Sequence, residues 1–125
     1  MNDSPTLAQL QARVRAFADA RDWERFHSPR NLAMALSVEA SELLELYLWS
    51  ADDGPQPLNP DRADKVAEEA ADVLFCLLNF CERAGVDLAA ALERGMAKAE
   101  RKYPADRVRG RALKYDEYPE WGEDG

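Results

Sequence analysis

The stretch 31–82 constrains the fold of this chain most, because two apolar helical runs within it are each interrupted by acids three residues apart. The run NLAMALSVEASELLELYLW carries Glu39 and Glu42, and the run ADKVAEEAADVLFCLLNFCE carries Glu69 and Asp72. Side chains at this spacing lie on the same side of a helix, with Cβ atoms about 5–6 Å apart. Two such pairs on facing helices would bring four carboxylates together.

The first acid of each pair continues a line of apolar residues that would face a core. Glu39 lies between Leu36 and Leu43 at helical spacing, and Glu69 lies one turn before Val73. An ionised carboxylate among apolar side chains is costly unless it is paired or coordinates a metal ion. Carboxylate oxygens favour a hard ion such as Mg²⁺ or Mn²⁺. We therefore predict that the four acids form a metal site.

Two other interpretations of the acids are weaker. The chain has 24 acidic residues among 125, so a pair such as Glu42 and Glu45 also arises by accident on a solvated face. A di-iron helical bundle would need Glu-x-x-His pairs. His27 is the single histidine, and it lies outside both runs.

Helical periodicity occurs in four segments, and no strand-like alternation of useful length accompanies it. Caps and prolines predict helix starts at Ser4–Pro5, Ser28–Pro29, Asn59–Pro60 and Asp87. We expect the helices to end near Asp22, Trp49 or Ser50, Gly85 and Lys102. Glycine and three prolines exclude a helix from ADDGPQPLNP. The predicted fold class is an all-α four-helix bundle.

The length of the chain is near the common domain size. We predict one helical domain at 1–104 and a C-terminal arm without a core of its own at 105–125. The second predicted helix is apolar on more than one side, as Leu36, Leu44 and Leu48 illustrate. Excess apolar helix surface favours subunit packing, so we expect a homodimer or a homotetramer.

Charge and hydropathy exclude two classes of partner. A formal net charge of −8 disfavours binding of a nucleic acid polymer through a basic surface. The longest strongly apolar run, 73–78, is far shorter than the roughly 20 residues of a membrane span. The N-terminus lacks the basic and apolar regions of a secretory signal. We expect a cytoplasmic protein that contacts no membrane.

Three blocks of this sequence resemble a known family. They are RDWERFHSPRNLAMALSVEASELLELYLW, EEAADVLFCLLNFCERAGVDL and RKYPADRVRGRALKY, within residues 7 to 115. Together they resemble the all-α, MazG-like nucleoside triphosphate pyrophosphohydrolases, in particular the small branch that includes the dCTP pyrophosphatases. The resemblance implies an enzyme that cleaves between the α and β phosphates and releases a nucleoside monophosphate and pyrophosphate.

The resemblance also assigns roles to the acids. One helix of the family carries Glu-x-x-Glu and the next carries Glu-x-x-Asp. These two motifs correspond to the acids of the predicted metal site, and the resemblance implies Mg²⁺ as the cofactor. The metal ligands would be Glu39, Glu42, Glu69 and Asp72. A carboxylate not fully engaged with metal can orient water or accept its proton. Glu42 and Glu39 are the two candidates for that catalytic role.

Substrate contacts are expected from aromatic and basic residues outside the acid pairs. The resemblance implies that Trp23 and Trp49 line the nucleobase pocket, although core or interface packing would also explain them. The expected phosphate contacts are Lys98, Arg101, Lys102 and Tyr103. The alternative for these four is a solvated basic end of a helix, which the helix dipole favours. His27 is either a structural hydrogen-bonding residue or a substrate contact.

Four positions depart from the pattern of the dCTP-type members. Val14 stands where some members carry a base-facing histidine, and Cys76 where some carry a tyrosine. Related chains often carry lysine at the position of Gly95 and asparagine at the position of Ala99. The departures leave the four acids unchanged and weaken the expectation of cytosine selectivity. The departures at Gly95 and Ala99 motivate an alternative, a non-catalytic helical nucleotide-binding or oligomerisation module with a degenerate metal site.

Overall fold

The computed structural model describes residues 3–49 and 60–118, which form helices and contain no strand. The α-helices are α1 (Leu7–Ala20), α2 (Pro29–Glu45), α3 (Pro60–Ala84), α4 (Leu88–Lys102) and α5 (Ala105–Val108). Short 3-10 helices occupy Glu24–Phe26 and Tyr115–Glu117. The predicted all-α class is confirmed, and the four predicted helices are present. The predicted break at ADDGPQPLNP lies outside the described residues apart from its final proline.

Helix α1 begins two residues later than predicted, because Thr6 rather than Ser4 caps it. The Thr6 hydroxyl accepts a hydrogen bond from the backbone N–H of Gln9 (3.1 Å). The Gln9 side chain accepts one in return from the backbone N–H of Thr6 (2.8 Å). This capping box satisfies two backbone donors that the helix itself leaves unpaired.

The end of α1 directs the chain into the segment that precedes α2. Asp22 has a left-handed φ of 53°. The N–H groups of Asp22 and Trp23 donate to the carbonyls of Asp19 (3.1 Å) and Ala18 (3.0 Å). This pair of bonds is a Schellman motif. It ends α1 at Ala20, two residues before the predicted end, and sets where Trp23 leaves the helix.

Helix α2 starts as predicted and ends early. The Ser28 hydroxyl accepts a hydrogen bond from the N–H of Asn31 (3.1 Å), and the proline after Ser28 is the first helical residue. After Glu45 the backbone N–H groups bond to carbonyls three residues earlier, as Tyr47 does (2.9 Å). Arg62 of α3 also donates to the carbonyl of Leu46 (2.8 Å). The predicted end near residues 49–50 is therefore about four residues too late.

Helices α3 and α4 end where the sequence predicts. Gly85 follows α3 with a φ of 71°, a conformation that glycine adopts without steric cost. The N–H of Val86 donates to the carbonyl of Cys81 (2.8 Å), which closes the end of α3. Helix α4 ends at Lys102, and the N–H of Tyr103 donates to the carbonyl of Ala99 (2.7 Å).

The chain divides into two compact units, Met1–Leu88 and Ala89–Gly125. In the first unit α3 packs against both α1 and α2, and more extensively against α2. Among the described residues of this unit, the buried apolar ones are Val14, Ala18, Leu32, Leu78 and Cys81. Helix α3 is therefore the central element of the first unit, and the acids of α2 and α3 lie on its largest contact.

The second unit contains α5 and a buried tyrosine, Tyr118. The Tyr118 hydroxyl donates to the carbonyl of Arg111 (3.2 Å) and accepts from the N–H of Leu113 (3.1 Å). Its ring meets that of Tyr103 edge to face, with 6.3 Å between centroids. The predicted division at residue 104 and the predicted coreless arm stay predictions.

Large apolar side chains remain exposed on α2 and α4, among them Met34, Val38, Leu44, Leu92 and Met96. They would supply surface for the predicted homo-oligomer, which stays a prediction. Among the described helices, none is long and apolar enough to span a membrane. The predicted cytoplasmic location also stays a prediction.

Candidate metal centre

Helices α2 and α3 bring three of the predicted acids close together. One carboxylate oxygen from each of Glu39, Glu69 and Asp72 lies within 4.8 Å of the other two. Glu39 comes from α2, and Glu69 and Asp72 come from successive turns of α3. Three ionised carboxylates at this separation repel one another. The cluster is therefore a place where a cation would be favoured.

Glu42 is the fourth predicted acid, and it lies next to this cluster. Its side chain is within hydrogen-bonding reach of the carboxyl groups of both Glu39 and Glu69. It is half-buried and follows Glu39 by one turn of α2. Glu42 is not among the three residues whose oxygens approach most closely. All four predicted acids thus meet in one region, with Glu42 beside the other three.

The buried oxygens of the cluster lack partners. Glu39 and Glu69 each bury one carboxylate oxygen, Oε2, that has no hydrogen-bond partner. Burial is the main cause that raises the pKa of both carboxyls, and interactions with Glu42 and Asp72 raise the pKa further. A buried, unpartnered carboxylate oxygen is costly. A bound cation would supply the missing partner for both oxygens.

The donor set fits a hard divalent cation. Glu39, Glu69 and Asp72 offer oxygen atoms only, and Mg²⁺ prefers oxygen ligands while it keeps several water molecules. Fewer than six protein ligands would leave positions for water and for substrate phosphates. The assignment of the individual acids as metal ligands stays a prediction.

Cys76 borders the acid cluster on α3. It is half-buried and follows Asp72 by one turn. Burial raises the pKa of the Cys76 thiol, and the charges of Glu39 and Asp72 raise it further. A thiol that stays protonated adds no negative charge to the cluster. One of the sequence departures therefore lies beside the acids without adding to their repulsion.

Trp23 lies between α1 and α2 with 42% of its surface exposed. Its ring meets the rings of Phe17 and His27 edge to face, at centroid distances of 5.7 and 6.2 Å. Phe17 in turn meets Phe75 of α3 at 5.6 Å. The indole is thus supported by other rings and still offers surface to a ligand. Its predicted nucleobase contact stays a prediction.

Trp49 packs against none of the residues in the described ranges 3–49 and 60–118. Its exposure is 102%, and its φ is 61°. A left-handed backbone costs roughly 1–2 kcal/mol for a residue other than glycine. Among the described residues Trp49 therefore takes no part in the core, whereas an interface role and the predicted nucleobase contact both stay predictions.

The four expected phosphate contacts belong to the second unit: Lys98, Arg101, Lys102 and Tyr103. The three basic side chains are exposed and Tyr103 is half-buried. The ammonium group of Lys102 lies 5.6 Å from the centre of the Tyr103 ring. Their contact with phosphate stays a prediction.

The sequence did not point to two polar residues of α3 that contact the segment before α2. Asn79 is buried with 3% exposure, and its amide nitrogen lies 3.2 Å from Nδ1 of His27. Arg83 donates to the carbonyls of Glu24 and His27, at 3.1 Å each. The amide within the apolar run VLFCLLNF was a usable signal, because a buried amide needs a hydrogen-bond partner. No pattern marks Arg83, since its two shortest hydrogen bonds go to backbone carbonyls.

An open cleft of about 300 Å³ lies between α1 and α3. Its lining is mainly apolar and includes Val14, Phe17 and Phe75. Val14 is a position at which the resemblance implies a base-facing histidine in some members. The cleft wall at that position offers packing surface and no side-chain hydrogen bond.

Comparison with known proteins gives matches over most of the chain. A model of the MazG-like family matches residues 34–117. The dCTP pyrophosphatase 1 of Homo sapiens is 42% identical over 117 residues, which are 92% of this chain and 69% of that protein. The dCTP pyrophosphatase 1 of Bos taurus is 40% identical over 120 residues, 94% and 71% of the two chains. A solved pyrophosphatase structure from Archaeoglobus fulgidus has a TM-score of 0.66 and 36% identity, and the match covers 83% of this chain and 97% of that one.

The fold and the acids define an all-α protein with an acidic centre suited to a divalent cation. The chain belongs to the MazG-like family. The predicted resemblance is confirmed, and so is the predicted enzyme class, a nucleoside triphosphate pyrophosphohydrolase. An enzyme of this class suggests a requirement for a divalent metal ion. The alternative of a non-catalytic module is therefore not supported.

Proposed function

We propose that this enzyme hydrolyses dCTP or a related pyrimidine (deoxy)nucleoside triphosphate to the monophosphate and pyrophosphate, with Mg²⁺ as cofactor and Mn²⁺ as a substitute. The name dCTP pyrophosphatase 1 of its relatives suggests the substrate. The observation that carries the metal site is the pair of buried, unpartnered Oε2 atoms of Glu39 and Glu69 beside Asp72. Such an activity would remove surplus or modified triphosphates.

Glu39, Glu69 and Asp72 are the proposed metal ligands. When bound, Mg²⁺ neutralises charge on the triphosphate and on the α-phosphorus as it reacts, and it lowers the pKa of a bound water. The three carboxylates come from two packed helices, so their positions are set before the substrate arrives. Preorganised charges of this kind need little rearrangement during the reaction.

Glu42 is the proposed general base. It contacts Glu39 and Glu69 and lies outside the closest group of acids, so its carboxylate has capacity to accept a proton. A water molecule attacks the α-phosphorus, and its proton passes to Glu42. The bond from the α-phosphorus to the α–β bridging oxygen breaks, and pyrophosphate leaves with the bonding electrons. Glu39 was the other candidate, but its buried Oε2 favours metal binding.

Trp23 and Trp49 are the proposed nucleobase contacts. Both expose ring surface, and aromatic rings stack on any base with little dependence on its identity. Selectivity needs directed hydrogen bonds, which Val14 cannot offer and a Cys76 thiol offers only weakly. We therefore expect turnover of several pyrimidine triphosphates rather than of dCTP alone. Lys98, Arg101, Lys102 and Tyr103 are the candidates for phosphate contact.

A substrate panel tests this proposal. The purified protein is incubated with Mg²⁺ and each canonical or modified pyrimidine and purine triphosphate, and released pyrophosphate and monophosphate are measured. We expect pyrimidine deoxynucleotides to be turned over fastest, with monophosphate rather than diphosphate as the product. Release of no pyrophosphate from any of these triphosphates would contradict the proposal.

Two variants connect that activity to the acid cluster. Glu39→Gln and Asp72→Asn keep the side-chain volume but remove a charge, and each should lose nearly all turnover while the circular dichroism spectrum is unchanged. Glu45→Gln is the matched control, since Glu45 is an exposed acid at the end of α2. Retained activity in the first two variants would remove these acids from the mechanism.

A further inference from the structure

Arg83 of α3 holds both ends of a short 3-10 helix in the connector, defined as residues 21–28 between α1 and α2. Its Nε donates to the carbonyl of His27 (3.1 Å), and its Nη2 donates to the carbonyl of Glu24 (3.1 Å). Its Nη1 also lies 3.5 Å from a carboxylate oxygen of Glu24. The planar guanidinium suits two acceptors at fixed positions. The connector backbone is thereby attached to α3.

Asn79, one turn before Arg83, makes the second attachment of the connector to α3. Its amide nitrogen lies 3.2 Å from Nδ1 of His27, and Asn79 is almost fully buried. Because an amide nitrogen only donates, Nδ1 of His27 is the acceptor in this contact. This contact fixes the orientation of the imidazole ring. The His27 ring in turn meets the indole of Trp23.

The same helix that receives the connector carries two of the proposed metal ligands. Asp72 precedes Asn79 by seven residues, which is two helical turns or about 10 Å along α3. A helix of this length is rigid, so residues that attach the connector to α3 also fix Trp23 relative to Glu69 and Asp72. The ring contacts from Trp23 through Phe17 to Phe75 run to α3 as well.

We propose that Arg83, assisted by Asn79, is a positioning residue that holds Trp23 at a fixed place relative to the acids of α3 and so sets how tightly the nucleobase binds. The inference rests on the proposed function, because it takes Trp23 as a base contact. The exposed ion pair with Glu24 contributes little by itself. The two bonds to backbone carbonyls define the position of the connector, and a preorganised contact loses less entropy when the ligand binds.

Kinetics of Arg83 variants test the proposal. Arg83→Ala should raise KM for the best pyrimidine triphosphate roughly tenfold, the loss expected when one stacked base contact is weakened. Its kcat should change less than about threefold, because no acid of the cluster is altered. Arg83→Lys keeps the charge but has no fork to bridge two carbonyls, so its KM should rise like that of the alanine variant. A KM restored to the wild-type value by lysine would overturn the positioning role.

Arg15→Ala is the matched control. Arg15 lines the same small polar cavity as Arg83, but its ion pairs go to Asp19 and Glu82 on α1 and α3 (3.7 Å each). The Arg15→Ala substitution removes the same charge as Arg83→Ala without loosening the connector. Its KM and kcat should therefore stay at their wild-type values. An equal rise of KM in Arg15→Ala and Arg83→Ala would show a general charge effect and overturn the proposal.

A fluorescence measurement separates this inference from the proposed activity. In a Trp49→Phe, Trp121→Phe background Trp23 is the single tryptophan, and its quenching by acrylamide is measured without metal or nucleotide. Adding Arg83→Lys should raise the quenching constant roughly twofold, because a released connector opens locally. Unchanged quenching would overturn the positioning role, even in an active enzyme. If quenching rises but the wild-type protein releases no pyrophosphate, the attachment of the connector by Arg83 is supported and only the proposed function is rejected.

Discussion

Glu39 of α2 and Glu69 of α3 face each other with carboxylate oxygens within 4.8 Å, and each buries an Oε2 atom that has no hydrogen-bond partner. Burial, together with the neighbouring acids, raises the pKa of both carboxyls and so disfavours their ionised forms when no cation is bound. The same arrangement would favour a divalent cation. The cluster therefore links stability, metal affinity and pH.

Bound metal should stabilise the fold through this cluster. At neutral pH and about 100 times its Kd, Mg²⁺ should raise the Tm by roughly 10 °C, since a ligand that binds only the folded state adds about 2.7 kcal/mol. Glu69→Gln should abolish most of this rise, because it removes a ligand with a buried oxygen. In EDTA the same variant should melt at or above the wild-type Tm, because it removes repulsion. Differential scanning fluorimetry measures both effects.

Glu45→Gln is the control for the metal-dependent Tm, since Glu45 is exposed and ends α2. Its Tm should rise with Mg²⁺ as much as that of the wild type. A full rise in Glu69→Gln would show that the ion binds elsewhere.

The pH dependence of the metal-free protein follows from the direction of the pKa shifts. The pKa of Glu39 and of Glu69 is raised above the ordinary 4.5. At pH values between 4.5 and the raised pKa, the folded chain therefore binds more protons than the unfolded chain. Stability from both groups is fully present below about pH 4.5 and is lost as the pH rises through their raised pKa values. In EDTA, the Tm of wild type minus that of Glu39→Gln/Glu69→Gln should fall over this interval. A difference that rises with pH would contradict the shifts.

Saturating Mg²⁺ should change that pH profile. A bound cation favours the ionised carboxylates and competes with protons. The Tm gain from Mg²⁺ should therefore be small near pH 4.5 and large near pH 8 in the wild type. The double variant should show little gain at either pH. An equal gain at both pH values would indicate a site that contains no titrating acid.

Glu42 should separate catalysis from metal binding. If Glu42 is the general base, Glu42→Gln should lower kcat by a factor of about 10²–10⁴. The rise of the Tm with Mg²⁺ should be largely retained in this variant. Asp72→Asn should lower both kcat and the Tm rise, because Asp72 belongs to the closest group of acids. Pyrophosphate release and thermal melts measured on the same samples test the distinction. If Glu42→Gln loses the Tm rise as fully as Asp72→Asn, Glu42 is a metal ligand rather than the base.

The helices and the acid cluster were predictable because their signals are local. Helical periodicity placed the acids of α2 and α3 on lines that face one another, and the structure brings them together. Helix ends were less accurate. Thr6 and Ser4 are both cap residues, and the capping box with Gln9 decides between them. At the early end of α2 the carbonyl of Leu46 accepts a hydrogen bond from Arg62, sixteen residues further along the chain, and a contact at that distance leaves no local signal.

Contacts between distant segments were not predictable from the same patterns. Asn79 meets His27 across 52 residues, and Arg83 meets Glu24 across 59. Their closest partners are a ring nitrogen and backbone carbonyls, and carbonyls are present at every residue. Only packing of the connector on α3 selects these acceptors. Residues that position a site are thus harder to recognise in a sequence than residues that form it.

Alanine variants of Trp23 and Trp49 should differ in their effect on stability, and both should weaken substrate binding. Trp23→Ala should lower the free energy of unfolding by roughly 1–2 kcal/mol, because it removes ring contacts with Phe17 and His27. Trp49→Ala should change it by less than about 0.5 kcal/mol, because the Trp49 side chain is fully exposed.

Urea denaturation and KM measured on both tryptophan variants test this difference. Both should raise KM with a smaller effect on kcat, since each removes a base contact that forms on binding. If Trp49→Ala instead destabilises the protein in a concentration-dependent way and leaves KM unchanged, Trp49 packs between subunits and is not a base contact. The exposed indole at a left-handed backbone position would then serve assembly, and Trp23 alone would stack on the base.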